Sequence, residues 1–149
     1  QVLVASTGVI GQVLPIEPII TAVPTLVKEL DYGKNEEAAT AIMTTDTVKK
    51  EYAVEFQLDG KTCRLGGMAK GSGMIHPNMA TTLNFISTDC AISAKMLQQA
   101  LSEIVKVTYN CLSIDGDTST NDMVEIMASG LAGNGEITAP GPALDTFMM

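Results

Sequence analysis

The stretch Tyr52-Ala-Val-Glu-Phe-Gln-Leu-Asp-Gly-Lys61 decides the fold. Tyr52, Val54, Phe56 and Leu58 alternate with Ala53, Glu55 and Gln57, the period of a half-buried strand, and Asp59-Gly60 is a strong hairpin turn signal. The return strand runs from Lys61 towards Ala69, and its Gly66-Gly67 pair marks a bulge or a close backbone approach. Further on, Thr82 to Ser87 resumes strand character. Ser93 caps a helix carrying Met96, Leu97, Leu101, Ile104 and Val105 on one side. Cys111 to Ile114 and Met123 to Ala128 read as another strand pair, and the glycines and prolines from Gly130 to Pro142 as loop. Towards the N-terminus, Val2 to Ala5 reads as a short buried strand, followed by a Ser-Thr-Gly turn and a helix start at Pro15. Ile19, Val23, Leu26, Val27 and Leu30 keep helical spacing, but Pro24 splits them into two short helices. Asn35 caps a third helix, Glu36 to Met43. The class is mixed α/β with antiparallel hairpins, and both faces of the sheet need helical cover.

The 149 residues fit one domain, and 46% hydrophobic content with 17% charge is rich enough to bury a core. A net charge of −8, with only nine scattered Lys and Arg, argues against a nucleic-acid partner, because phosphate binding draws on clustered cations. No apolar run reaches the ~18 residues of a membrane helix, since Gln12, Pro15, Glu17, Pro18 and Pro24 interrupt the N-terminal third. The first basic residue is Lys28, which argues against a secretory signal. Cys63, Cys90 and Cys111 are odd in number and lack CxxC spacing, so they read as reduced, small buried hydrophobes of a cytoplasmic protein. Beginning at Gln1 and entering a strand at once, the chain reads as an excised portion of a longer one.

Between Lys70 and Asp89 the chain reads Lys-Gly-Ser-Gly-Met-Ile-His-Pro-Asn-Met-Ala-Thr-Thr-Leu-Asn-Phe-Ile-Ser-Thr-Asp. A flexible glycine turn and a proline bend deliver a threonine to the start of an apolar strand. A hydroxyl needs an adjacent base to act as a nucleophile. Were the Ala80–Thr81 bond cut, Thr81 would own a free α-amine, with a pKa of about 7.7–8.0 against roughly 10.4 for lysine. Nucleophile and base would then share one residue, with a stiff χ1 to aim the hydroxyl. Threonine also commonly opens strands only to pack or cap, and the Thr81-Thr82 pair leaves the cut ambiguous by one residue on chemistry alone.

The run Lys70 to Thr81 closely resembles the self-processing segment of the ornithine acetyltransferases, also called bifunctional glutamate N-acetyltransferases, of arginine biosynthesis. Ala5-Ser-Thr-Gly-Val-Ile-Gly11, Ala41-Ile-Met-Thr-Thr-Asp-Thr-Val48 and Asp115-Gly-Asp-Thr-Ser-Thr-Asn-Asp122 resemble the same family, in family order. The resemblance implies a layered αββα-like sandwich, as in self-processing acyltransferases with an N-terminal nucleophile. It also implies cleavage between Ala80 and Thr81, the match to Asn-Met-Ala-Thr placing the cut. Residues 1–80 would then be the C-terminal portion of an α fragment and 81–149 the N-terminal portion of a β fragment. Together they would form one structural domain, with the two fragments associating as a heterotetramer. The implied reaction moves acetyl from N-acetylornithine to glutamate through acetyl-Thr81, with no cofactor or metal, in the cytoplasm or, in a eukaryote, the mitochondrial matrix.

The resemblance carries further roles. Thr7 and Gly8 become oxyanion donors; from the residues alone, Ser6-Thr7-Gly8 lies where a strand gives way to a helical segment and backbone N–H groups favour negative charge, or it is an ordinary Gly turn. Lys70 and Thr47 become substrate contacts; from the residues alone a lysine is more often a solvated charge, but small Ala69 and Gly71 leave a pocket location open for Lys70, and Thr44, Thr45 and Asp46 are open either as contacts or as turn formers. The acidic ligands for the donor's side chain fall in the C-terminal part of the family's chain, outside this one. Asp115 to Asp122 fails as a calcium loop, having Thr120 at the sixth position and Ile126 at the twelfth, and reads as a hydrogen-bonded turn near the active centre. His76, the only histidine, helps set the bend before Pro77. Two other functions remain open: an amidase or aminopeptidase using Thr81, and a non-enzymatic acidic calcium-binding or adhesion module.

Overall fold

A computed structural model describes residues 2–80 and 82–149. Its elements in chain order are α1 (Glu17–Lys28), α2 (Asn35–Ala41), β1 (Lys50–Leu58), β2 (Lys61–Lys70), β3 (Ile75–His76), β4 (Met79–Ala80), β5 (Leu83–Thr88), α3 (Ala94–Val107), a 3₁₀ turn (Tyr109–Cys111), β6 (Met123–Ala128) and α4 (Pro142–Met148). The main sheet has the order β1-β2-β5-β6, and β3 with β4 makes a separate two-stranded hairpin. The fold is mixed α/β, as its sequence pattern requires. Among the described residues, no helix is long and apolar enough to cross a membrane.

The expected β1–β2 hairpin forms, with Leu58 opposite Lys61. Asp59 and Gly60 have φ of 51° and 70°, the two positive values of a type I′ turn, which matches the twist of the flanking strands. Pairing runs without interruption through Gly66 and Gly67, so no bulge forms there. The glycine at 67 answers a close approach instead, because a Cβ would lie 2.9 Å from the Phe85 carbonyl oxygen on β5. β5 returns antiparallel to β2, with Lys70 opposite Leu83, and β6 lies parallel to β5, with Leu83 opposite Met123.

One sheet face carries Phe56, Leu58, Cys63, Ile126 and Ala128, and it closes on Met96, Leu97 and Ala100 of α3 and Leu144 of α4. Phe56 meets Phe147 edge to face at 6.0 Å between ring centroids, a favoured aromatic geometry. Ser93 caps α3 as expected, its hydroxyl accepting from the Met96 N–H. On the opposite face, Ala53, Gly66, Met68, Phe85 and Met127 line an open groove of about 690 Å³, flanked by α2. Helical cover is thus complete on one face only among the described residues.

Several local expectations are corrected. Val2 to Ala5 forms no strand, since no sheet edge pairs with it, and Val2 and Val4 stay exposed. Pro24 lies inside a single helix, α1. Its ring removes only the bond to the Ile20 carbonyl, and α1 buries no residue, so that carbonyl is open to water. Asn35 opens α2 without capping it and donates to Glu51 at 3.1 Å. Cys111 ends a 3₁₀ turn and is exposed, so it is neither a strand residue nor a buried hydrophobe, whereas Cys63 and Cys90 are fully buried. Met123 to Ala128 is a strand, but it pairs with β5 and not with Cys111 to Ile114. Pro142, read as the end of a loop, opens α4, its fixed φ suiting the first helical turn.

Candidate active site

The turn that precedes the predicted cleavage point is built by its own residues. Pro77 supplies a fixed φ and Asn78 a positive one of 71°, the residue order of a type II turn, and it folds β3 onto β4 so that Ile75 faces Ala80. Thr81, the predicted nucleophile, lies outside the described residues. Residues on both sides of it are described, and carboxylates far away in sequence hold Gly71, Met74 and Ile75 before it and Thr82 after it.

Asp46 holds the start of the segment. Its side chain is fully buried and accepts from the Gly71 N–H at 2.8 Å, from the Thr44 N–H at 3.3 Å and from the Lys50 ammonium. Asp115 holds the middle, accepting from the N–H groups of Met74 at 2.7 Å and Ile75 at 3.0 Å. Asp122 holds the far end through the Thr82 N–H at 3.1 Å. The Asp-rich turn thus is a hydrogen-bonded turn beside the predicted cleavage point. Two of its carboxylates act as acceptors for backbone donors, and among the described residues no group of three His, Cys, Asp or Glu converges as metal ligands.

Burial alone would raise the carboxyl pKa of Asp46. Hydrogen bonds from Lys50, Gly71 and Thr44, with the Lys50 charge, outweigh it and lower the value from 3.8 to about 2. A pKa lower in the folded state than in the unfolded one stabilises the fold above the unfolded value, and this contribution is lost as pH falls from 3.8 towards 2. Asp46→Asn is therefore expected to lower the urea midpoint at pH about 7, with the difference from wild type closing as pH approaches about 2. An equal deficit at both ends would show that the charge is not what matters.

The Asp46–Gly71 bond also makes sequence neighbours of Thr47 and Lys70 into bonded partners. Thr47 is exposed. Lys70 is not a solvated surface charge: it is only 5% exposed, and among the described residues no ion pair or hydrogen bond holds its ammonium. A buried, unpaired cation is costly unless something anionic completes it. Thr45 and Ser72 share a hydroxyl contact of 2.6 Å beside it, so Thr45 acts here as a loop former.

Thr7 is half-buried and Gly8 exposed, on a loop with no strand before it and with α1 starting only at Glu17, so the expected strand-to-helix junction is absent. The loop nevertheless reaches the site's neighbourhood. Ser6, Thr7 and Gly8 share a groove of about 350 Å³ with Thr120 and Asn121, the residues just before Asp122. His76 is exposed on β3, beside the Pro77 bend. One residue went unnoticed in the sequence. Asn84, 2% exposed, donates to the Thr82 hydroxyl at 2.8 Å and to the Met123 carbonyl at 3.3 Å. Its signal was a polar amide within the apolar strand Leu83 to Ile86, a residue type that strands disfavour.

These residues assemble a loop whose backbone donors are held by three carboxylates and which is flanked by a buried lysine. The ArgJ family model matches residues 1–148, and the chain belongs to that family. It is 53% identical over 147 residues to the "Arginine biosynthesis bifunctional protein ArgJ" of Geobacillus stearothermophilus, covering 99% of this chain and 36% of that protein. Proteins of the same name from Thermosynechococcus vestitus (52% over 143 residues, 96% of this chain and 34% of theirs) and Chlorobaculum tepidum (50% over 153 residues, 99% and 38%) match similarly. The chain therefore spans little more than a third of the length of these relatives.

Proposed function

We propose that this chain carries the self-cleavage and acetyl-transfer centre of an ornithine acetyltransferase, a cytoplasmic enzyme of arginine biosynthesis. The observation that carries the reading is Lys70, buried without an anionic partner among the described residues at the end of β2, next to a loop that Asp46 and Asp115 hold in place. In maturation, Thr81 Oγ attacks the Ala80 carbonyl, and the Ala80–Thr81 amide becomes an ester. Water opens the ester, leaving a carboxylate on Ala80 and a free amine on Thr81. The β2–β5 ladder then keeps residues 1–80 and 81–149 together as one domain.

In transfer, the Thr81 amine takes the proton as Thr81 Oγ attacks the acetyl carbonyl of N-acetylornithine. Thr7 and Gly8 donate to the developing oxyanion, and ornithine departs with the proton. The α-amine of glutamate then attacks the acetyl ester and restores the threonine hydroxyl, a ping-pong scheme. Lys70 pairs with the donor's carboxylate, and Thr47 supplies a hydroxyl contact.

The test uses the full-length protein. Intact mass and N-terminal sequencing should find a second chain beginning Thr81-Thr82-Leu83. Lys70→Met keeps the aliphatic stem and removes the charge. In cut, folded protein it is expected to lower kcat/KM for N-acetylornithine by about 10²-fold, the scale of a lost charge-assisted contact. An acetyl donor without the carboxylate should barely distinguish the two proteins. Equal use of N-acetylornithine by both would remove Lys70 from the site, and acetyl release to water with none to glutamate would make the enzyme an amidase.

A further inference from the structure

Thr82, the residue after the predicted nucleophile, is 8% exposed, and each of its polar groups is tied. Its N–H donates to Asp122 Oδ1 at 3.1 Å, its carbonyl accepts from the Met123 N–H at 3.0 Å, and its hydroxyl accepts from Asn84 Nδ2 at 2.8 Å. The first rung of the parallel β5–β6 ladder pairs Leu83 with Met123. Asp122 thus stands one residue before β6 as Thr82 stands one residue before β5. A side-chain carboxylate there extends the ladder by a rung that backbone pairing no longer supplies. The two residues just before Asp122, Thr120 and Asn121, border the groove that Ser6, Thr7 and Gly8 share.

We infer that Asp122 is a positioning residue of this centre, fixing the strand that follows the nucleophile and tying it to the loop that carries Thr7 and Gly8. The inference rests on the acetyltransferase reading above. Asp122 is itself exposed, so its loss leaves the packed core of β5, α3 and β6 untouched, while the Thr82 N–H it serves is part-buried and would lose its acceptor. Displacements of about 1 Å at a reacting group cost on the order of 10²-fold in rate.

The experiment compares full-length wild type, Asp122→Ala and Asp122→Asn for the rate of chain cutting by mass spectrometry, for kcat and KM with N-acetylornithine in the cut fraction, and for thermal midpoint. Asp122→Ala is expected to slow cutting and kcat by about 10-fold to 100-fold with KM nearly unchanged. Asp122→Asn, which keeps an acceptor oxygen of the same reach, should recover most of both rates. Wild-type rates in Asp122→Ala would overturn the inference alone, as would an Asp122→Asn protein no better than the alanine variant or a loss explained by unfolding. A wild type that neither cuts nor transfers would overturn the acetyltransferase reading and this inference with it.

Discussion

Full-length protein carrying Thr81→Ala is expected to stay a single chain and to transfer no measurable acetyl group. The substitution removes the nucleophilic atom that the proposed scheme uses twice, first against the Ala80 carbonyl and then against the acetyl donor. The expected loss in turnover is on the order of 10⁴–10⁶-fold, the scale found when one member of a nucleophile–base unit is deleted. Folding should survive, because the backbone rungs that pair Leu83 with Lys70 and with Met123 remain in place. Intact mass separates the outcomes: a Thr81→Ala protein that still splits would sink the assignment of Thr81, and a split one residue later would move the nucleophile to Thr82.

Thr7→Ala comes next in expected size. A hydroxyl donor aimed at developing charge is worth about 2.7–4 kcal/mol, or roughly 10²–10³-fold in kcat. Both maturation and transfer pass through a tetrahedral oxyanion, so both should slow together. Thr7 lies on an exposed loop against Thr120 and Asn121 and outside the core around Met96, so the thermal midpoint should hardly move. A folded Thr7→Ala enzyme with unchanged rates would leave the Ser6-Thr7-Gly8 loop as a turn and nothing more.

The β1–β2 hairpin was legible because two independent signals agreed, the alternation from Tyr52 to Leu58 and the Asp59-Gly60 turn. The strand at Met123 was legible, but its partner was not, since a period of two says which face is buried and nothing about which edge is free. Pro24 misled because helix breaking depends on whether the orphaned carbonyl is buried, and α1 buries nothing. At the candidate site, the resemblance supplied Thr7, Gly8, Thr47, Lys70, Ala80 and Thr81. Small Ala69 and Gly71 left a pocket location for Lys70 open, but the carboxylates that hold the loop after it were not legible. The acceptors Asp46, Asp115 and Asp122 lie 25, 40 and 40 residues from the backbone donors of Gly71, Ile75 and Thr82, distances that no local window spans.

The ladder between β2 and β5 crosses the Ala80–Thr81 bond, with one strand on each side of it. While the chain is whole, these strands are tethered by a short loop, and their pairing is a unimolecular event whose closure cost depends on loop length alone. Once the bond is cut, the same rungs become contacts between separate molecules, and any complete unfolding lets the halves diffuse apart. Refolding then changes its order from first to second, and the stability of the mature sheet becomes a function of concentration. On the proposed scheme the cut follows closure of the sheet, so a cleaved chain would record that folding has taken place.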